Sequence, residues 1–260
     1  MRLLQKFYQA AYYIKYWLYK VNAHSLHTPA LFRLYTQVIQ GKSQPTPEIE
    51  KLRLRLLRGK EEIHVTELGA GSSVSRHTSR RLSSIARYST TPLKFSLLLQ
   101  RLILHVKAIN VVELGTSLGI NTAYLATAYP GIKVVTFEGC ANTAAIAKIN
   151  FSALGLNNIE VIEGNLDETL QQYPFSKVDL AYLDANHRLE PTLRYVEMLL
   201  PYLSDSGVII LDDIHWSKEM HQAWNILKQD TRFTVKLDLF EAGLLIADKN
   251  WQAQHMALHY

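Results

Sequence analysis

The residues best suited to chemistry sit at the ends of apolar runs. Val111-Val112-Glu113-Leu114-Gly115-Thr116-Ser117-Leu118-Gly119 reads as a buried strand, a glycine turn and a helix start. Two glycines four apart let the backbone turn sharply and approach a ligand without Cβ interference. The free N–H groups of the helix that follows favour an anionic group such as a carboxylate. The spacing is not that of a dinucleotide site, because Thr116, Ser117 and Leu118 fill the gap where a pyrophosphate needs a second glycine. A nucleoside carrying an amino-acid carboxylate fits better. Glu138 lies 23 residues beyond Gly115, at the end of the next strand, where a carboxylate can accept both hydroxyl hydrogens of a ribose. The alternative is a surface glutamate at a strand end.

Asp184, Asp212 and Asp213 close two later apolar runs. Three carboxylates at neighbouring strand ends repel unless a proton or a cation intervenes. Their hard oxygens suit Mg²⁺, or Mn²⁺ if an imidazole joins, and such a metal beside a hydroxyl would lower the pKa of that hydroxyl. The alternative is that Asp212 and Asp213 cap the next turn and hydrogen-bond to ligand or backbone. His187, with an ordinary pKa near ~6.5, suits a base that takes a proton from an acceptor at neutral pH; a structural or orienting histidine is the competing reading. His215 is a weaker candidate of the same kind. His24 and His27 read as capping or lid residues, and Tyr124 and Trp216 as core.

The elements that must position these groups follow from periodicity. Residues 2–20 form an amphipathic helix with Leu3, Phe7, Ala11, Ile14 and Leu18 on one side and Tyr12, Tyr16, Tyr19 and Lys20 on the other. It either packs on the main domain or, given its Tyr, Trp17 and Lys content, meets a membrane surface or a partner. Thr28-Pro29 opens a helix that stops at Gly41, and Thr46-Pro47 opens another that ends before Gly59. Residues 1–60 are therefore expected as a helical cap or lid, and 61–260 as the main domain. Glu67-Leu68-Gly69-Ala70-Gly71 imitates a ligand loop, yet no strand with a terminal acid follows it at the expected distance. A basic, serine-rich segment with Arg76, Arg80, Arg81 and Arg87 follows instead, read as a solvated face before a phosphate patch.

From Thr91-Pro92 onward helix and strand alternate. Strands are expected over 133–137, 159–162, 178–183, 208–211, 232–239 and 242–247, with helices over 141–154, 191–203 and 217–228. This βαβ succession predicts a parallel, doubly wound sheet with ligands at the carboxyl ends of its strands, where Glu113, Glu138, Asn165, Asp184 and Asp212 all fall. Glu241-Ala242-Gly243 suits a hairpin that turns one edge antiparallel.

The chain has 260 residues, 28 Lys and Arg against 23 Asp and Glu, and one cysteine. The mild positive balance permits an anionic partner without requiring one. The lone Cys140 excludes a disulfide framework and suits a reducing cytoplasm. No stretch of eighteen apolar residues marks a membrane span, and the lysines at 6, 15 and 20 argue against a signal peptide.

With the Gly115–Gly119 turn, Glu138 and Asn165 together, residues 91–248 resemble the class I S-adenosylmethionine-dependent methyltransferases. Tyr182-Leu183-Asp184-Ala185-Asn186-His187 and Ile210-Leu211-Asp212-Asp213-Ile214-His215-Trp216 look like the catechol and caffeoyl-CoA type O-methyltransferases within that class. The resemblance implies a Rossmann-like α/β fold, with a seven-stranded, mostly parallel sheet, an antiparallel last strand and an N-terminal helical extension. It implies S-adenosylmethionine as cofactor, with Gly115 and Gly119 shaping the turn, and Glu113, Ser117 and Asn121 reaching the methionine amino and carboxylate groups. Glu138 would bind ribose, Asn165 the adenine edge, and Asp184 would serve both cofactor and catalysis. In the family an acid after the fourth strand and an Asp-Asn pair after the fifth hold a divalent metal. Here they correspond to Asp184, Asp212 and Asp213, with Asp213 in place of the asparagine. The family's catalytic lysine falls on His187.

The expected activity is O-methylation of a small hydroxylated acceptor by a cytoplasmic enzyme, with a homodimer compatible. The competing readings are an RNA or other macromolecular methyltransferase that uses the arginine run and the basic N-terminus, and a non-catalytic cofactor-binding or scaffold protein. Against the nucleic-acid reading, no Asn/Asp-Pro-Pro-Tyr stretch follows the fourth strand and no RNA-binding module is added.

Overall fold

In the computed structural model the described residues are 2–66 and 77–260; Gly69, Gly71 and Arg76 lie outside them. The chain divides into two compact units, Met1–Gly41 with Phe175–Tyr260, and Lys42–Pro174. Residues of the expected 1–60 cap fall in both units.

The chain begins with α1 (Arg2–Tyr19) and α2 (Pro29–Arg33), the latter running on as one π-helical stretch over Leu34–Ile39. Proline at the first position opens α2, but Thr28 makes no side-chain cap.

The Lys42–Pro174 unit continues with α3 (Pro47–Leu57), β1 (Glu62–Thr66), β2 (His77–Arg81), α4 (Leu82–Tyr88) and α5 (Leu93–Val106). It then alternates β3 (Asn110–Leu114), α6 (Ile120–Ala126), β4 (Lys133–Glu138), α7 (Ala141–Ala153), β5 (Ile159–Glu163) and α8 (Leu166–Gln172). β3, β4 and β5 pair in parallel, with Val112 opposite Val135 and Phe137 opposite Ile162. Four of the five β3 residues are buried, as an apolar run without alternation requires of a strand covered on both faces. Ile49, Leu52 and Leu56 of α3 pack with Ile85 of α4, Leu97 of α5 and Ile120, Ala123 and Tyr124 of α6. The Tyr124 hydroxyl, inside this core, donates to Glu50 Oε1 at 2.7 Å.

β1 and β2 form a separate antiparallel hairpin, with Glu62 opposite Arg81. Thr66 N–H donates to Cys140 Sγ at 3.4 Å and Asn142 Nδ2 to the His64 carbonyl at 2.8 Å, so the hairpin is tied to the start of α7. Arg80, Arg81 and Arg87 are exposed, as a solvated basic face requires.

The other unit adds β6 (Val178–Leu183), α9 (Leu189–Leu199), β7 (Leu203–Asp212), α10 (Lys218–Gln229), β8 (Val235–Asp238), β9 (Ala242–Ile246) and β10 (Gln254–Ala257). β6 and β7 are parallel, with Leu183 opposite Leu211. β9 is antiparallel to both β7 and β8, which confirms the expected hairpin. The fold is therefore the expected Rossmann-like α/β type, mostly parallel with one reversed strand. Among the described residues the main-sheet strands number eight, not seven. The extra one is β10, parallel to β8, whose Gln-His-Met-Ala sequence carries no β-branched residue to signal a strand.

Trp224 of α10 is fully buried against β9, where a Cβ added to Gly243 would lie 2.5 Å from ring atom Cζ3. Gly243→Ala is therefore expected to destabilise the protein by ~1–3 kcal/mol through overpacking. A thermal melt should show it as a drop of several degrees, and an unchanged Tm would mean that the indole has room to move.

Candidate active site

The Lys42–Pro174 unit holds the glycine turn. After β3 the backbone enters the left-handed region three times in five residues, at Gly115 (φ 106°), Ser117 (φ 49°) and Gly119 (φ 80°). At Gly119 there is no alternative to glycine, because an added Cβ would also meet the Phe151 ring at 2.5 Å. Ser117 has no such freedom, and its conformation is secured from the next strand: its N–H donates to Glu138 Oε2 at 2.8 Å. The other Glu138 oxygen, Oε1, accepts from Cys140 N–H at 2.9 Å. The N–H groups of Gly115 and Thr116 both donate to the Phe137 carbonyl, at 3.0 and 3.1 Å. Turn and glutamate are thus locked together at the carboxyl ends of β3 and β4.

Glu113 lies under this turn, fully buried. Its Oε1 accepts from Asn121 Nδ2 at 2.8 Å, and its Oε2 from the hydroxyls of Thr122 and Thr136, the latter at 2.7 Å. Thr116 Oγ1 lies 2.7 Å from Thr136 Oγ1 and extends the network. Glu113 therefore holds the turn and α6 in place from below. Two polar atoms of the same turn, Ser117 Oγ and Asn121 Oδ1, are buried without a hydrogen-bond partner. Buried polar atoms are almost always paired, so these two point to a ligand. A hydroxyl that can donate to a carboxylate and an amide oxygen that can accept from an ammonium fit the amino-acid end of S-adenosylmethionine. Asn165, exposed at the end of β5, uses Oδ1 to accept Asp167 N–H at 3.2 Å and so caps α8.

The other unit holds the acids. Asp212 Oδ2 accepts from the buried Tyr182 hydroxyl at 3.0 Å. Burial first, then the charges of Asp184 and Asp213 and a hydrogen bond with Asp184, hold the Asp212 carboxyl well above the usual range. Burial and the neighbouring charges thus favour the protonated form of Asp212. Burial also raises Asp213 to about 6, helped by Asp184 and Glu241 and opposed by His187. His187 Nε2 lies 3.4 Å from Asp184 Oδ1. Burial pulls the imidazole down, but the hydrogen bond and charge of Asp184, with the charge of Asp213, outweigh it and raise its pKa. Asp213 and Asn186 take left-handed backbones, φ 55° and 61°.

Among the described residues no three His, Cys, Asp or Glu side chains form a group able to hold a metal. Asp184, Asp212 and Asp213, the residues expected to hold a cation, follow or end β6 and β7 of the same unit.

Three sequence readings are altered. His215 is buried with both ring nitrogens engaged, Nδ1 with His221 Nδ1 at 3.0 Å and Nε2 with Asp238 Oδ2 at 2.8 Å. Trp224 Nε1 donates to the same Asp238 oxygen at 3.2 Å, and Tyr12 stacks on the His215 ring. These partners lie up to two hundred residues apart, so no local signal could have joined them. Trp216 is half exposed rather than core. His24 contributes its backbone N–H, not its ring, to the Asn22 cap.

Residues 112–214 match the family model described as a methyltransferase domain. No curated protein matches the chain. Among solved structures, SAH-bound methyltransferase PaMTH1 of Podospora anserina is 16% identical, with TM-score 0.62 over 86% of this chain and 98% of its own. An O-methyltransferase of Bacillus cereus in complex with SAH is 18% identical, with TM-score 0.59 over 81% and 96%. A Geobacter sulfurreducens methyltransferase gives 14%, 0.56, 81% and 94%. At these identities the structures carry the fold, and the domain match bears out the resemblance read from the turn, Glu138 and the acid-terminated strands.

Proposed function

We propose that this chain, a methyltransferase by its domain over residues 112–214, uses S-adenosylmethionine to methylate an oxygen of a small hydroxylated acceptor. The observation that carries the reading is the turn: Glu138 secures the left-handed Ser117, while Ser117 Oγ and Asn121 Oδ1 stay buried and unpartnered. Those two atoms would take the methionine carboxylate and ammonium. Glu138 would add the ribose hydroxyls to its backbone donors, Asn165 would meet the adenine edge, and Gly115 and Gly119 keep the approach open. The solved relatives with SAH bound, and one O-methyltransferase solved with SAM, support the same donor.

When bound, the sulfonium supplies an electrophilic methyl group. Ser117 and Asn121 would hold its methionine end, leaving the methyl for an acceptor hydroxyl. The hydroxyl proton goes to the His187 imidazole, and Asp184 stabilises the imidazolium that forms. Alignment in a dry pocket does the rest, since proximity alone is worth several kcal/mol. Residues of the 1–60 segment would wall the acceptor and choose it. The single buried Cys140 supports a cytoplasmic setting.

The direct test is calorimetric titration with S-adenosylmethionine, followed by turnover on panels of catechols, phenols and hydroxy acids. Saturable binding with no turnover on any hydroxyl acceptor would leave a cofactor-binding scaffold. Because no three-donor group forms around Asp184, Asp212 and Asp213, turnover is expected to survive EDTA unchanged. Loss in chelator, restored by Mg²⁺, would return those three residues to the role of ligands.

A further inference from the structure

α1 packs on its own unit by the face that the sequence marks as polar, and leaves its apolar stripe outside. Gln5 and Gln9 Nε2 both donate to the Trp216 carbonyl, at 3.2 and 3.1 Å. Tyr12 covers His215 and His221, Tyr16 donates its hydroxyl to the Leu258 carbonyl, and Tyr13 and Tyr16 flank Phe240. These contacts fix the rotation of the helix. Its opposite side then shows Phe7, Ile14, Trp17 and Leu18 at 68, 59, 58 and 65% exposure. Positions 7, 14 and 18, with Ala10, Ala11 and Trp17 between, form one continuous stripe at helical spacing. A helix that served only the fold would turn that stripe inward.

The surrounding charge says what covers it. The first 47 residues carry six Lys and Arg and not one acid; the remaining residues carry 22 basic and 23 acidic side chains. Four of the six, Arg2, Lys6, Lys15 and Lys20, lie on α1 or directly after it, and α1 carries no acid. Lys15 is exposed beside the stripe, and Lys20 lies 5.7 Å over the Tyr16 ring at the end of the helix. An apolar stripe with a tryptophan, bordered by the exposed Lys15 on a helix that carries no acid, matches a lipid–water interface with anionic headgroups. Among the described residues no helix is long and apolar enough to cross a membrane. We propose that α1 lies in the plane of an anionic membrane surface, with Phe7, Ile14, Trp17 and Leu18 in the headgroup–acyl boundary and Lys15 on a lipid phosphate. The acceptor pool would then include molecules held at that surface. The docking claim stands independently of the methyl-transfer reading.

The test is flotation of the full chain with phosphatidylcholine vesicles, with and without phosphatidylglycerol. Binding is expected only with the anionic lipid and should weaken in high salt. The double variant Ile14→Glu, Leu18→Glu should lose about tenfold or more of the bound fraction. Its melting temperature and S-adenosylmethionine binding should be unchanged, because both side chains are mostly exposed. Equal recovery with neutral vesicles, or none with either, would overturn the proposal. So would a dimer in sedimentation equilibrium that the same double variant dissociates, since the stripe would then face a second copy of the chain.

Discussion

Glu138→Ala is expected to abolish measurable S-adenosylmethionine binding in calorimetry while the far-UV spectrum and the melt remain those of a folded protein. The carboxylate does two things at once. Its oxygens take the backbone N–H groups of Ser117 and Cys140, and the former anchors a serine in a conformation few side chains adopt. In the proposed function it also accepts the ribose hydroxyls. Hydrogen bonds to a charged group contribute ~1.5–3 kcal/mol each, so losing two of them weakens binding by at least ~100-fold. Glu138→Gln separates the two jobs. It keeps one acceptor and the shape but gives up the charge, and a loss of only ~10-fold is expected. Undiminished binding by the alanine variant would remove the ribose role, and with it the main support for the donor.

His187→Ala is expected to lower kcat by ~10²–10⁴ while leaving the dissociation constant for S-adenosylmethionine within a factor of about two. A fall in acceptor affinity with kcat intact would instead make His187 an orienting residue. The pH profile gives a second handle. A base must start unprotonated, and Asp184 with Asp213 raises the imidazole above its ordinary value. The rate should therefore climb with pH through and beyond ~6.5, about tenfold per unit on the acid side. Asp213 ionises near 6, so its negative charge, added as pH rises through that value, helps hold the proton on His187 and keeps the climb on the alkaline side. Asp184→Asn takes away both the hydrogen bond and the charge. Its profile should move toward acid, whereas a purely structural role for Asp184 would lower the rate without moving the profile.

The legibility of this chain was uneven, and the division is physical. Local signals were enough for the strand–turn–helix at 111–126, for Glu138 at the end of the following strand and for the reversed β9. Apolar runs, glycine spacing and chain alternation act over a few residues and leave few alternatives. The same signals placed Glu113 among the ligand contacts, but fully buried beneath three donors it supports the turn from below. The acid pattern was visible as a threefold repulsion. That Asp212 is pushed up depends first on burial, which no spacing reports.

By itself, then, the sequence determined the fold class, the turn, the glutamate that holds it and the positions of the acids at strand ends. Only the tertiary structure decided which face of α1 is covered, that β10 extends the sheet, that His215 is spent on His221 and Asp238, and that Ser117 and Asn121 keep buried atoms open for a ligand. The reason is range. Periodicity and turn chemistry are fixed by neighbours in the chain, whereas burial, pairing and the rotation of a helix are set by partners that the sequence leaves far away.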